Sequence, residues 1–108
     1  MSAALLYVTA ESEDQARALG RALVERRLAA CANVIPRTTA IYRWEGEVRE
    51  EGEAVLLVKT RADLVDAVTE AVNSLHSYDC PCVLALPVSG GSRAFLDWIA
   101  EETAEETA

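Results

Sequence analysis

The segment Ala40–Thr60, AIYRWEGEVREEGEAVLLVKT, decides how this chain folds. It opens on β-branched and aromatic residues, turns at Trp44-Glu45-Gly46-Glu47, and returns as a strand from Val48 to Thr60. That return is acidic at first and then solidly apolar through Ala54-Val55-Leu56-Leu57-Val58. The partner strand begins upstream, near Ala30, and runs to Arg43; Pro36 interrupts it and predicts an edge strand or a bulge. The two strands make one long hairpin whose tip should project beyond the body of the sheet.

Working outward, Ala3–Val8 is an unbroken apolar run of the kind found in strands covered on both faces. Ser12 then opens a helix with Gln15 in the capping-box position, and Ala16, Leu19, Ala22 and Leu23 recur at helical spacing up to Arg26-Arg27. On the far side of the hairpin, Thr60 is expected to cap a second helix with Asp63 in its first turn and Leu64, Val68, Val72 and Leu75 as its apolar stripe. Residues His76 to Pro81 read as a loop, Val83–Leu86 as a fourth strand stopped by Pro87, and Ser92 as the start of a last helix carrying Phe95, Leu96, Trp98 and Ile99. The order is strand, helix, strand, strand, helix, strand, with one extra C-terminal helix. This is an α+β, ferredoxin-like βαββαβ sandwich, expected as one domain over residues 1–100 with a disordered acidic tail over 101–108.

The 108 residues suit one domain, and 51% of them are apolar, enough for a core. In such a sandwich both main helices lie on one face of the sheet. Three strands (Leu5–Val8, Val55–Val58, Val83–Leu86) are nonetheless apolar at consecutive positions, so the second face must also be covered. Self-association is the simplest cover. The net charge of −8 argues against nucleic-acid and anionic-membrane partners. No apolar run approaches the roughly 18 residues needed to span a bilayer. The first residues lack the basic region of a signal peptide, so a cytoplasmic location is the expectation.

Taken together, Leu28-Ala29-Ala30-Cys31-Ala32-Asn33, Ile41-Tyr42-Arg43-Trp44-Glu45-Gly46, Leu57-Val58-Lys59-Thr60, Ala85-Leu86-Pro87-Val88 and Phe95-Leu96-Asp97-Trp98-Ile99 resemble the CutA-type divalent-ion tolerance proteins. The likeness runs in order from Leu5 to Ile99. It implies a homotrimer whose long hairpins embrace the neighbouring subunit, an architecture like that of PII-type signalling proteins, and a role in tolerance of copper or other divalent cations. It implies no established enzymatic reaction. Copper binding in such proteins is attributed to a histidine pair and a first-strand cysteine; two of those three positions correspond here to Leu75 and Val8.

His76 is the only histidine, and imidazole is a good copper or zinc ligand. Cys80 and Cys82, two apart in an extended segment, would point the same way and could meet one soft ion with His76. The bland alternatives are a helix-end hydrogen bond for His76 and simple packing for the thiols. Cys31 lies in an apolar strand and reads as packing. Lys59, the only lysine, ends a buried strand; with Tyr78 it would face a ligand cleft between subunits, or it snorkels to solvent. Tyr42, Arg43 and Trp44 near the hairpin tip are expected anchors on the adjacent subunit. The glutamates at 45, 47, 50, 51 and 53 read as a solvated face that blunts the hairpin's edge. Other chemistries are excluded by composition. The loop after the first strand is acidic and glycine-free, unlike an acylphosphatase, and carries no Cys-x-x-Cys of a copper chaperone. The sheet lacks the basic and aromatic face of an RNA-binding domain, and one histidine leaves little room for acid–base catalysis.

Overall fold

A computed structural model describes residues 2–103. Its elements are β1 (Ala3–Ala10), α1 (Glu13–Glu25), β2 (Cys31–Trp44), β3 (Glu47–Arg61), α2 (Val65–Leu75), β4 (Val83–Pro87) and α3 (Arg93–Glu102). One four-stranded sheet has the order β2-β3-β1-β4, with every neighbouring pair antiparallel. This is the ferredoxin-like arrangement expected from the sequence.

Strand alternation divides the side chains between two faces. On one face, Val83, Val8, Leu56 and Val34 form a cross-strand row, and Ala85, Leu6, Val58 and Ala32 form the next. Helices α1 and α2 cover these rows, except Ala85 on the exposed edge strand, through Ala16, Leu19, Leu23, Val68, Ala71 and Val72, which makes the main core. Gly20 lets α1 approach closely: a Cβ there would stand 3.1 Å from Leu56 Cδ1 and 3.2 Å from Ala32 Cβ. On the other face, Leu84–Tyr7–Leu57–Asn33 and Leu86–Leu5–Lys59–Cys31 are the corresponding rows. Helix α3 covers only one end of that face, where Ile99 packs with Ala3 and Ala30, flanked by Val88 and Leu96.

The caps are set locally. The Ser12 side chain accepts from the Gln15 N–H at 3.1 Å, while Gln15 Oε1 accepts from the Glu11 N–H, one residue earlier than in a standard capping box. Helix α1 ends in a Schellman pattern, the Leu28 N–H on the Leu23 carbonyl and the Arg27 N–H on that of Val24. Arg27 takes the left-handed C′ position at φ 60°, and its guanidinium donates to the Glu101 carbonyl at 2.8 Å. Ser92 caps α3 through the Phe95 N–H at 3.3 Å, as its position foretold.

The second helix departs from expectation. Thr60 is fully buried inside the sheet and its hydroxyl donates to the Leu28 carbonyl at 2.6 Å, so it cannot cap. A 3-10 turn over Ala62–Leu64 intervenes, and α2 starts at Val65 after Leu64, without a side-chain cap. Within the stripe Val68 and Val72 are buried, whereas Leu75 at the helix end is 42% exposed. The tail also begins later than the sequence suggested. Glu101 and Glu102 belong to α3, and Thr103 is buried with its hydroxyl on the Ile99 carbonyl at 2.9 Å. The rest of the predicted tail, 104–108, lies outside the described residues.

The hairpin is long: β3 pairs with β1 only from Ala54 to Arg61, and from Glu47 to Glu53 its sole partner is β2. The expected irregularity at Pro36 is a β-bulge between Ile35 and Thr38. The tip turns through Glu45 at φ 51° and Gly46 at φ 80°, the two positive values of a type I′ turn. Among the described residues, no helix is long and apolar enough to cross a membrane.

Candidate functional site

The loop from His76 to Cys82 is held at both ends by one residue of β1. The Thr9 N–H donates to the Cys82 carbonyl at 3.4 Å, and the Thr9 carbonyl lies 2.7 Å from His76 Nε2. Nδ1 of the same ring accepts from the Tyr78 N–H at 3.0 Å. A backbone amide can only donate, so Nδ1 must present its lone pair and Nε2 must carry the proton given to Thr9. Both nitrogens are therefore committed, and the ring could ligate a metal only by releasing the Tyr78 amide. The Tyr78 ring lies 4.7 Å from the imidazole, and Ser77 hydrogen-bonds Glu11.

Cys80 is exposed and Cys82 half-buried, and both are free thiols. Among the described residues, no three His, Cys, Asp or Glu side chains converge as a group that could hold a metal ion. The third thiol, Cys31, lies on β2 with its sulfur 3.8 Å from Asn33 Oδ1. Val8 and Leu75, the positions that the resemblance set against copper ligands, are apolar; Val8 is fully buried in the helix-side core.

Carboxylates gather where the hairpin leaves the sheet. Burial raises the Tyr78 phenol above its ordinary pKa of 10.0, and the charges of Glu53, Glu11 and Glu51 add to the effect. A hydrogen bond to Glu51 is the main cause of a similar rise at Tyr42. Tyr78, Tyr42 and these three glutamates thus share one neighbourhood, which spacing alone did not reveal.

Lys59 lies elsewhere. Its strand partners are Leu5 and Cys31, and its ammonium sits 5.4 Å above the Phe95 ring of α3. Six positions of β3 separate it from Glu53, about 20 Å along an extended strand. Within one chain, Lys59 and Tyr78 do not share a cleft; a cleft holding both would need two copies. Of the expected anchors, Tyr42 is half-buried, Arg43 reaches only to the Gly46 carbonyl at 3.4 Å, and Trp44 is 56% exposed. Ile41 and Val48, which the sequence reading passed over, are more exposed still, at 67% and 66%. Their cross-strand positions would have flagged them, since both sit on the arm that only β2 and β3 form.

The sequence model of the CutA1 divalent ion tolerance protein family matches residues 4–102. The divalent-cation tolerance protein CutA of Thermus thermophilus is 48% identical over 99 residues, covering 92% of this chain and 96% of that protein. The chloroplastic protein CutA of Arabidopsis thaliana is 40% identical, covering 92% of this chain but only 54% of the plant protein. The crystal structure of CutA1 from Oryza sativa superposes with a TM-score of 0.95 at 38% identity, covering 98% of this chain and 97% of that one. The bacterial and plant relatives are named for cations or family rather than for a reaction, and the plant one for an organelle. With its matched residues spanning all seven elements, this chain belongs to the CutA1 divalent ion tolerance protein family.

Proposed function

We propose that this chain serves divalent-cation tolerance as a cytoplasmic homotrimer. The observation that carries the reading is the sheet face opposite α1 and α2. There Leu84 is 60% exposed, Leu86 48%, Tyr7 beside Leu84 is open as well, and Ile35 is exposed on β2 at the sheet's other edge. A two-stranded arm extends the same need, because an isolated hairpin is marginal in water. Contiguous apolar surface of this kind calls for a partner, and a second and third copy present the same surface. The number three comes from the family likeness; the need for cover comes from the face itself.

For the ion, Cys80 and Cys82 are the soft donors that would take copper or a similar cation. His76 would join them only after giving up its bond from Tyr78. That commitment of both ring nitrogens favours a second reading, in which the trimer carries a small-ligand cleft between copies, Lys59 from one and Tyr78 from another, and no intrinsic metal site.

Sedimentation equilibrium together with calorimetric titration of reduced protein by copper(I) and zinc separates the readings. Trimer mass with micromolar or tighter binding that vanishes in Cys80→Ser/Cys82→Ser supports the first. Trimer mass without metal binding supports the second. A monodisperse monomer at micromolar concentration would overturn both.

A further inference from the structure

We infer that Cys80 and Cys82 form a reversible intramolecular thiol–disulfide couple, an oxidisable site on the loop between α2 and β4. Three observations carry it. The first is confinement. The seven residues from His76 to Cys82 would span about 20 Å if extended, yet both ends are tied to the N–H and the carbonyl of Thr9. The loop must double back, and residues 77–80 form successive bends. Being only two residues apart, Cys80 and Cys82 have Cα atoms no more than about 7 Å apart even in extended chain, at the edge of the 4.4–6.8 Å that a disulfide tolerates.

The second observation is the lack of a competing thiol. Cys31 is on β2, at the opposite edge of the sheet from β4, three strand spacings or about 14 Å away. The third is unequal access: Cys80 is exposed and Cys82 half-buried, so incoming reagents meet Cys80 first.

The chemistry is a two-electron exchange with a low-molecular-weight disulfide. The Cys80 thiolate attacks one sulfur of that disulfide, its S–S bond breaks, and one small thiol leaves with the proton Cys80 gave up. The Cys82 thiolate then attacks the Cys80 sulfur of the mixed disulfide. The protein S–S bond forms and the second small thiol leaves, protonated at the expense of Cys82. Two protein thiols are oxidised and one small disulfide is reduced to two thiols. A ring closed over a single intervening residue is strained, so it belongs with the labile disulfides that small thiols reopen. Pro81 keeps the ring from relaxing by fixing its own φ. The inference does not depend on metal binding. If the pair does bind a soft ion, oxidation removes both donors at once.

The test uses the full chain carrying Cys31→Ser, with chelator present, equilibrated in graded mixtures of reduced and oxidised glutathione. After acid quench and alkylation, intact mass is read. The expected product is a single chain lighter by two hydrogens with no alkylated thiol, reverting as reduced glutathione is raised. Cys82→Ser should instead trap a glutathione adduct on Cys80, and faster than Cys80→Ser traps one on Cys82. Two separate adducts on one chain, covalently joined chains, or two alkylated thiols at every ratio would each overturn the inference. Because metal is chelated throughout, none of these outcomes bears on the tolerance reading.

Discussion

Replacing Leu84 and Leu86 together by serine should break the assembly without breaking the fold. Fully burying a leucine is worth about 1.5–3 kcal/mol. At 60% and 48% exposed, the two side chains leave close to one whole leucine of surface for a partner to cover. The double change therefore removes about 1.5–3 kcal/mol per protomer. Across three equivalent copies the loss is roughly 5–9 kcal/mol, or roughly three to six powers of ten in the three-body dissociation constant. The helix-side core should not notice, because Val83 and Ala85 point to the other face and stay in place. The assay is sedimentation velocity over a dilution series, with far-ultraviolet dichroism as the control for folding. Unchanged trimer mass at nanomolar concentration, with dichroism intact, would refute the assignment of this face as the interface. Loss of dichroism in the variant would instead refute the division of β4 between two independent faces.

Thr60→Val keeps the buried volume and deletes the hydroxyl that serves the Leu28 carbonyl. It should cost about 1–2 kcal/mol, lowering the thermal midpoint by about 4–8 °C per kcal/mol at fixed protein concentration, with Thr60→Ser recovering most of the loss. Glu45 occupies a left-handed turn position at φ 51°, which asparagine adopts more readily. Glu45→Asn should therefore add about 0.5–1 kcal/mol to the denaturant-unfolding free energy, and no gain would mean the turn is not strained. The phenols of Tyr42 and Tyr78 titrate above their ordinary value of 10.0 in the folded chain. Their contribution to stability is thus whole below pH 10 and lost as the pH rises through the raised values. Tyr42→Phe/Tyr78→Phe should flatten the decline in unfolding free energy above pH 10, and an unaltered alkaline slope would remove them as its cause.

The fold was legible because its signals are local. Apolar runs and helical spacing placed the strands and helices, Ser12 and Ser92 announced two caps that formed, and Pro36 announced a bulge. Thr60 misled because a threonine before an apolar stripe looks the same whether its hydroxyl caps a helix or is buried under a neighbouring loop. Only the packing of Leu28 over β3 decides between them. Tail and helix were confused for a related reason: Glu101 and Glu102 look solvated, but the Arg27 side chain and the burial of Thr103 are long-range facts that hold α3 through them. At the candidate site, the sequence offered His76, Cys80 and Cys82 by residue type. It could not show that Thr9 and Tyr78 would take both imidazole nitrogens, because those partners come from a strand far away in the chain and from the backbone. Nor could spacing reveal that Tyr78, on a distant loop, would come within electrostatic reach of Tyr42, Glu51 and Glu53 on the hairpin arm.

The position of β1 has a consequence for how the chain comes to be folded at all. This apolar strand lies in the middle of the sheet, yet its partners are distant: Ala10 meets Ala54, Ala3 meets Arg61, and the pairs with β4 run from Val8–Val83 to Ala4–Pro87. The β2–β3 hairpin, by contrast, can zip outward from Trp44 and Glu47. Loop-closure entropy makes the nearby pairing fast and the distant one slow. During synthesis β1 therefore emerges before its partners and waits, with both hydrogen-bonding edges open, until β3 has followed. The interval in which this protein is most prone to aggregate is set by its topology, and a nascent-chain binder that shields Ala3–Ala10 would shorten it.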